Sequence, residues 1–349
     1  MIVKDNTLKT WKAVTYEGLL DPELIEFSWQ KASEGKRGRK SVKRMSKASE
    51  QAKLIEELRN ETYEPVLCRN MQKWDKNAKK MRDISCPAFK DQMVHWALMT
   101  LMKPYMEREF IKHNVANVPG RGLSYGNKII KHWSHKRGTK YVLKMDVTKY
   151  YPSIDIPILM DKLKKKIRDT KIIALIEKIL YKESPCGKGL TLGSYLNLWL
   201  ALFYMNELDH TIKEKLGIKF YLRYVDDMLI LVKTKRMAQK LLAFISNYLQ
   251  TLKLRIKDKG RGKSKIYEWS KERFVDMIGM RTYRNRQLIR RNIYLKIRRL
   301  MDKVKKKRTT HRARSIMSYK GIVQHSDCIY LYKEMQRDIK KYKIKELVA

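Results

Sequence analysis

Two short hydrophobic runs flank a pair of adjacent acids in the second half of the chain. Residues 218–223 and 228–232 are rich in β-branched and aromatic side chains, which is typical of strands. The tetrapeptide between them ends in Asp226-Asp227 and forms the tip of a predicted hairpin. Adjacent carboxylates repel each other unless a cation holds them. The pattern therefore predicts a divalent metal site at this turn.

A second acid follows another hydrophobic strand, residues 141–147, in which Asp146 is the acidic position. An Asp at the end of a buried strand is costly unless it is paired or bound to a metal. Antiparallel strands could bring Asp146 to Asp226 and Asp227, whereas Asp155 is better placed to cap the helix that follows it. Two Mg²⁺ ions ~3.5–4 Å apart would support an in-line phosphoryl displacement. The three acids therefore favour nucleotidyl transfer or phosphodiester cleavage.

Helical spacing of apolar residues dominates the rest of the chain. The predicted helices cover residues 24–32, 49–60, 91–109, 127–136, 156–168, 195–215 and 236–251, followed by basic helices from residue 288 onward. Further strand-like pieces lie in residues 63–84, 252–256 and 274–282. The Met and aromatic stripe of residues 91–109 indicates core packing rather than a cofactor site.

The charge balance adds a partner to this picture. The 349 residues include 79 Lys and Arg against 36 Asp and Glu, a formal net charge of +43, which favours a polyanion such as nucleic acid. A membrane surface is the alternative polyanion, but the longest apolar run, residues 198–205, is too short to span a bilayer. The scattered cysteines and the polar N-terminal segment predict a cytoplasmic protein without a membrane partner.

Two glycine-rich loops and one basic stretch admit both a structural and a functional interpretation. Residues 119–126 could hold a phosphate but lack the ending of a P-loop, so a turn is the simpler interpretation. Residues 187–194 open onto an apolar helix, where glycine lets another group approach the backbone. Residues 36–47 are either a solvated linker or an arm that grips phosphates.

The order of five segments resembles a reverse transcriptase of the bacterial retroelement type. The resemblance runs from about residue 35 to 285, with a looser match beyond it. The segments that carry it are Lys144–Tyr151, Gly189–Asn197, Tyr224–Asp227, Leu252–Lys259 and Val275–Met280.

This resemblance implies an α+β right-hand polymerase fold with fingers, palm and thumb, in which an antiparallel palm sheet packs on helices. The implied domains are an N-terminal extension with fingers (1–140), a palm (141–285) with a fingers element at 156–188, and a basic helical thumb (286–349). It also implies the partners: an RNA template, the RNA–DNA duplex and dNTPs. The implied cofactor is a pair of Mg²⁺ ions, with Mn²⁺ as a substitute.

The resemblance assigns roles to individual residues. The metal site would consist of Asp146, Val147, Asp226 and Asp227, and the three acids would be catalytic. Residues implied at the dNTP are Arg82 at the triphosphate, Tyr151 under the sugar, where it would exclude a 2′-hydroxyl, Leu192 and Gly193 beside the nascent base pair, and either Lys257 or Lys259 as proton donor to pyrophosphate. The implied primer grip is Ile278, Gly279 and Met280.

Leu192 distinguishes this chain within the resemblance, since many reverse transcriptases have Gln at that position. An apolar residue there resembles the enzymes of diversity-generating retroelements, which miscopy template adenines and work with a small basic accessory protein. Asn197-Leu198 departs from the Ser-Gln pair that is usual in that group. Two alternatives therefore stay open: an anti-phage defence enzyme that makes repetitive or untemplated DNA, and a catalytically idle RNA-binding protein.

Overall fold

The computed structural model describes residues 10–75, 80–258 and 264–348. The chain divides into two compact units. One comprises Met1–Ile111, Val147–Thr211 and Asn247–Arg255, and the other comprises Lys112–Asp146, Ile212–Ser246 and Ile256–Ala349.

Helices account for most of the described residues. The α-helices are α1 (Tyr16–Leu19), α2 (Pro22–Ser33), α3 (Lys40–Arg44), α4 (Ala48–Arg59), α5 (Phe89–Glu109), α6 (Leu123–Ser134), α7 (Tyr150–Ser153), α8 (Ile156–Lys164), α9 (Thr170–Glu183), α10 (Tyr195–Tyr204), α11 (Asn206–His210), α12 (Lys235–Thr251), α13 (Arg291–Lys306), α14 (Thr310–Val323) and α15 (Ile329–Lys341). A 3₁₀ turn at Trp11–Ala13 precedes α1, and a π-helical turn at Thr211–Lys215 follows α11.

The strands form three antiparallel sheets. They are β1 (Arg69–Asp75), β2 (Lys80–Cys86), β3 (Tyr141–Met145), β4 (Tyr221–Tyr224), β5 (Asp227–Val232), β6 (Lys265–Glu268), β7 (Val275–Met277), β8 (Met280–Thr282) and β9 (Gln287–Ile289). β1 pairs with β2, the order β4-β5-β3-β6 makes a four-stranded sheet, and β7, β8 and β9 form a meander. Helices with antiparallel sheets confirm the predicted α+β class.

In the first unit, α5 packs against α2 and α10. Its predicted stripe is buried, including Met93, Leu98 and Met102. Local sequence fixes several helix starts in this unit. Asp21 caps α2 just before Pro22, and Asp155 caps α8 by accepting the N–H of Ile158 at 3.1 Å, as predicted.

The second unit contains the four-stranded sheet and the C-terminal helices. One sheet face packs through Val142, Leu229 and Leu231 into a core shared with Trp133 and Trp269. A separate core joins α13, α14 and α15 through buried residues that include Ile297, Met301 and Met335. In the predicted apolar stripe of the basic C-terminal segment, Ile297 and Val304 are buried, Ile293 and Leu300 are partly buried and Leu295 is exposed.

Several sequence predictions differ from the structure, including the helix predicted for 156–168, which ends at Lys164. The helix predicted for 195–215 breaks at Met205, so α10 and α11 are separate. Residues 252–256 form no strand: Leu252 and Lys253 make a turn after α12, and Ile256 forms a bridge. The helix predicted from residue 127 begins at Leu123, inside the glycine-rich loop, with Gly122 as its N-cap.

None of the helices among the described residues has the length and apolarity needed to cross a membrane.

Candidate active site

The three predicted acids meet at one end of the four-stranded sheet. Tyr224 pairs with Asp227 across the β4–β5 hairpin, so Val225 and Asp226 form a two-residue turn. In the neighbouring ladder Met145 pairs with Met228, which places Asp146 opposite the start of β5. Strand register alone thus brings together carboxylates that are far apart in sequence.

Asp146 and Asp226 are in direct contact. Their carboxyl groups lie within hydrogen-bonding range of one another. Burial and then the neighbouring charge of Asp146 raise the pKa of Asp226, and burial and then Asp227 raise the pKa of Asp146. Carboxylates that repel one another at a half-buried position are the setting in which a cation is most stabilising.

Two lysines lie against these acids. Lys144 Nζ is 3.0 Å from Asp227 Oδ1, and Lys257 Nζ is 3.9 Å from Asp146 Oδ2. These ion pairs partly offset the negative charge of Asp227 and Asp146. Within the described ranges, no group of three or more His, Cys, Asp or Glu side chains is arranged to hold a metal ion.

The donor set nevertheless fits a hard divalent cation. Asp146 and Asp226 supply carboxylate oxygens in contact, and Asp227 supplies a third carboxylate one residue away; oxygen is the ligand that Mg²⁺ prefers. The fourth predicted ligand, Val147, has a buried aliphatic side chain, so only its carbonyl oxygen could bind a metal.

Arg223 is a residue of this site that the sequence interpretation missed. Its side chain is fully buried, and its guanidinium donates to the carbonyl oxygen of Val225 at 2.9 Å. Val225 has φ +58°, which is unusual for a β-branched residue, so this hydrogen bond supports a strained turn. The available sequence signal was a single Arg among the apolar and aromatic residues of β4.

Arg223 is itself fixed by its backbone. Its N–H donates to His113 O at 3.0 Å, and its carbonyl accepts the N–H of Val115 at 2.9 Å. Asn114, between them, is fully buried. The acidic turn is therefore anchored to segment 113–115 as well as to β5.

Four of the residues predicted at the dNTP belong to the first unit: Arg82, Tyr151, Leu192 and Gly193. Arg82 lies on β2 opposite Lys73 and is partly buried. Tyr151 lies in α7, and its carbonyl accepts the N–H of Leu190 at 2.9 Å. The glycine-rich loop 187–194 is thereby tied to the segment that carries Tyr151.

Leu192 and Gly193 contact the β1–β2 hairpin. The carbonyl of Leu192 accepts the N–H of Ser85 at 2.8 Å. Gly193 has φ +121°, and a Cβ there would lie 2.3 Å from Ser85 O. Glycine is thus required at position 193 by a backbone contact inside the protein, a constraint that the loop sequence alone did not reveal.

Lys257 and the primer grip lie in the second unit. The N–H of Lys257 donates to Asp146 O at 2.8 Å, whereas Lys259 lies outside the described residues. Ile278 and Gly279 form the turn between β7 and β8, both with positive φ. Met280 is buried in the core of the C-terminal helices, so its side chain is not available to a primer.

Residues 72–282, more than half of the chain, match the family model for reverse transcriptase (RNA-dependent DNA polymerase). The chain belongs to the reverse transcriptase family. The predicted reverse transcriptase fold and the general resemblance are confirmed by this match.

Similar curated proteins come from bacteria and a plant. The group II intron-encoded protein LtrA of Lactococcus lactis subsp. cremoris is 30% identical over 175 residues, which cover 48% of this chain and 29% of LtrA. Protein YkfC of Escherichia coli is 22% identical over 173 residues, covering 46% and 45%, respectively. Nuclear intron maturase 1 of Arabidopsis thaliana is 30% identical over 94 residues, covering 27% and 13%. The match thus spans less than half the length of each relative.

Among solved structures, telomerases from yeasts are similar. Telomerase from Candida albicans, in complex with a TWJ fragment of telomeric RNA, matches with a TM-score of 0.49 and 11% identity, over 82% of this chain and 55% of the telomerase. Apo telomerase from Candida tropicalis gives a TM-score of 0.41 and 13% identity, over 62% and 47%.

Proposed function

We propose that this protein is an RNA-directed DNA polymerase that copies a structured RNA into cDNA. The observation that carries the proposal is the contact between Asp146 and Asp226 at the end of the sheet, in a chain of the reverse transcriptase family. A basic protein of net charge +43 suits the RNA template and the RNA–DNA duplex. The proposed location is the cytoplasm.

Asp146 and Asp226 would hold Mg²⁺, or Mn²⁺ in its place, together with Asp227 and the carbonyl of Val147. When bound, such ions stabilise negative charge on the attacking and leaving oxygens of phosphoryl transfer. Among the chain's own groups, Arg223 holds the turn that carries Asp226, and Lys144 holds Asp227. Of the two lysines predicted as proton donor, we assign the role to Lys257, which lies beside Asp146 and would give a proton to the departing pyrophosphate.

The remaining roles concern the nucleotide and the primer. We assign Arg82 to the triphosphate and Tyr151 to the sugar, where an aromatic ring would exclude a 2′-hydroxyl and select dNTPs. Leu192 and Gly193 would border the new base pair. At the primer, the tip residues Ile278 and Gly279 would make the contact, while Met280 would anchor the turn from inside the core.

Primer extension on an RNA template tests this function. Asp226→Asn removes a charge from the acid pair with little change in volume and should abolish Mg²⁺-dependent dNTP incorporation while RNA binding persists. Asp161→Asn, at an exposed position of α8, is the matched control and should keep wild-type activity. Incorporation that survives in Asp226→Asn would contradict the proposal, and RNA binding without incorporation by the wild type would support an idle RNA-binding protein.

Within this activity, we propose error-prone copying in a diversity-generating retroelement with a small basic accessory protein. Leu192 supports it, since an apolar side chain takes the place of the usual Gln. Because its carbonyl is already fixed by Ser85, Leu192→Gln changes the side chain and keeps the backbone contact. This variant should copy template adenines more faithfully, and an unchanged error spectrum would remove the support.

Copying of an intron RNA is a second candidate, favoured by the 30% identity to a group II intron-encoded protein. Sequencing the RNA that co-purifies with the protein separates the possibilities. RNA from a group II intron would favour copying of an intron RNA. RNA from a repeat that is paired with a variable gene would favour the diversity-generating retroelement. Untemplated or repetitive cDNA would instead indicate a defence enzyme.

A further inference from the structure

An open cavity of about 820 Å³ in the first unit is lined mainly by cationic and hydrogen-bonding side chains. We propose that this cavity binds a phosphate group, supplied either by a nucleic-acid backbone or by a free polyphosphate. Its lining residues are Thr148, Ser153, Lys188, Gln250, Lys253, Leu254 and Arg255.

Three of the lining side chains are cations on exposed positions. Lys253 Nζ is 2.7 Å from Asp155 Oδ2 and is neutralised by that carboxylate. Lys188 and Arg255 form no ion pair with any residue in the described ranges. Two positive charges therefore remain for a ligand, and one of them is a guanidinium, whose planar fork matches phosphate oxygens.

Backbone contacts hold the cation-bearing segments together before any ligand binds. The N–H of Thr148 donates to Arg255 O at 2.8 Å. Lys188 is paired with Asp155 in an antiparallel bridge, and Asp155 also holds Lys253. Lys253, just after α12, has φ +54°, and its N–H donates to Gln250 O at 2.9 Å. The cavity walls are thus fixed relative to one another, which lowers the ordering cost of binding.

The neutral lining residues fit the same ligand. Thr148 is exposed, and its hydroxyl can donate to a phosphate oxygen. The Ser153 hydroxyl donates weakly to Thr148 O at 3.3 Å, and the Gln250 amide adds further donors. Leu254 is fully buried and closes the floor of the cavity. Cations with several neutral donors favour phosphate.

The choice of a nucleic acid or pyrophosphate as the source of the phosphate rests on the proposed function. The existence of a phosphate site does not. The test therefore measures binding in EDTA, without polymerisation, at 150 mM salt. The double variant Lys188→Gln/Arg255→Gln removes the two unpaired cations and leaves the Lys253–Asp155 pair intact. Lys164→Gln/Lys165→Gln, at exposed positions near the end of α8, removes the same charge elsewhere in the same unit.

Calorimetric titration with pyrophosphate and anisotropy with a labelled ten-residue oligothymidylate are the two arms. If the source is a free polyphosphate, the cavity variant should weaken pyrophosphate binding about tenfold and leave the oligonucleotide unaffected. If the source is a nucleic-acid backbone, oligonucleotide affinity should fall about tenfold, and the salt slope of log K should drop by about 1.4. The control variant should change either affinity less than twofold.

Equal loss in both double variants would show that net charge alone attracts the anion and would overturn the proposal. Wild-type affinity of the cavity variant for both probes would overturn it as well. Equal melting temperatures of the wild type and the cavity variant would show that a loss of binding is not caused by unfolding. Failure of cDNA synthesis in a separate assay would bear on the proposed function only.

Discussion

Replacing Arg223 by Met tests whether the acidic turn depends on a buried cation. The substitution keeps the length of the apolar stem but removes the hydrogen bond to Val225 O. A hydrogen bond from a charged donor contributes about 1.5–3 kcal/mol, and Val225 at φ +58° stores about 1–3 kcal/mol of strain that the bond helps to hold. If the turn relaxes, Asp226 leaves its position beside Asp146.

The loss should therefore appear in the chemical step. We expect kcat for dNTP incorporation to fall about 10- to 150-fold, the rate equivalent of 1.5–3 kcal/mol. KM for dNTP should change little, because Arg223 supports the turn that carries Asp226 and is not one of the residues assigned to the dNTP. Single-turnover primer extension measures the chemical step directly, and the half-saturating Mg²⁺ concentration should rise in the same variant.

A half-buried arginine in the same unit, Arg284, provides the control. Arg284 donates to the backbone carbonyls of Trp269 and Ser134 and does not contact the acidic turn. Arg284→Met should lower the melting temperature but keep kcat per folded molecule. Wild-type kcat and Mg²⁺ dependence in Arg223→Met would refute the reasoning, as would equal catalytic losses in the two variants.

Three further predictions concern the first unit. Gly193→Ala should destabilise by about 2–3 kcal/mol in urea unfolding because its Cβ would meet Ser85 O, whereas Gly38→Ala, in open space, should stay within about 0.5 kcal/mol. Asp155→Ala should cost about 1–2 kcal/mol by loss of a cap and Asp155→Asn clearly less; equal losses would contradict the capping role. Burial lowers the pKa of His95 to about 4, so stability present above its unfolded value near 6.5 is lost as pH falls toward 4. Between pH 7.5 and 4.5 the wild type should lose about 2–3 kcal/mol more than His95→Gln, and parallel losses would disprove this.

The acid pair could be predicted from sequence because its strands are strongly patterned. Hydrophobic runs on both sides of Asp226-Asp227 determine the hairpin, and a strand ending at Asp146 must pair with something in a sheet of this kind. The register that places Asp146 next to Asp226 is then the one that buries Val142 and Leu229 on the same face.

Other features depend on contacts between distant segments. The need for glycine at 193 arises from Ser85, more than a hundred residues away. The role of Arg223 arises because its side chain turns back to donate a hydrogen bond to Val225 in its own hairpin. The ion pair of Lys144 on β3 with Asp227 on β5 joins residues that are not directly opposite each other in the two strands. The break between α10 and α11 falls at Met205, the last residue of the apolar run, and no Gly or Pro marks it in the sequence.

The strand order β4-β5-β3-β6 also has a consequence during translation. β3 is made first, and both strands that pair with it come later in the chain. Asp226 follows Asp146 by about 80 residues, which a ribosome adds in about 4–16 s at 5–20 residues per second. During that interval β3 has two unpaired edges, the state most prone to wrong pairing. Slow elongation over residues 146–268 or truncation before Glu268 should therefore favour aggregation of nascent chains.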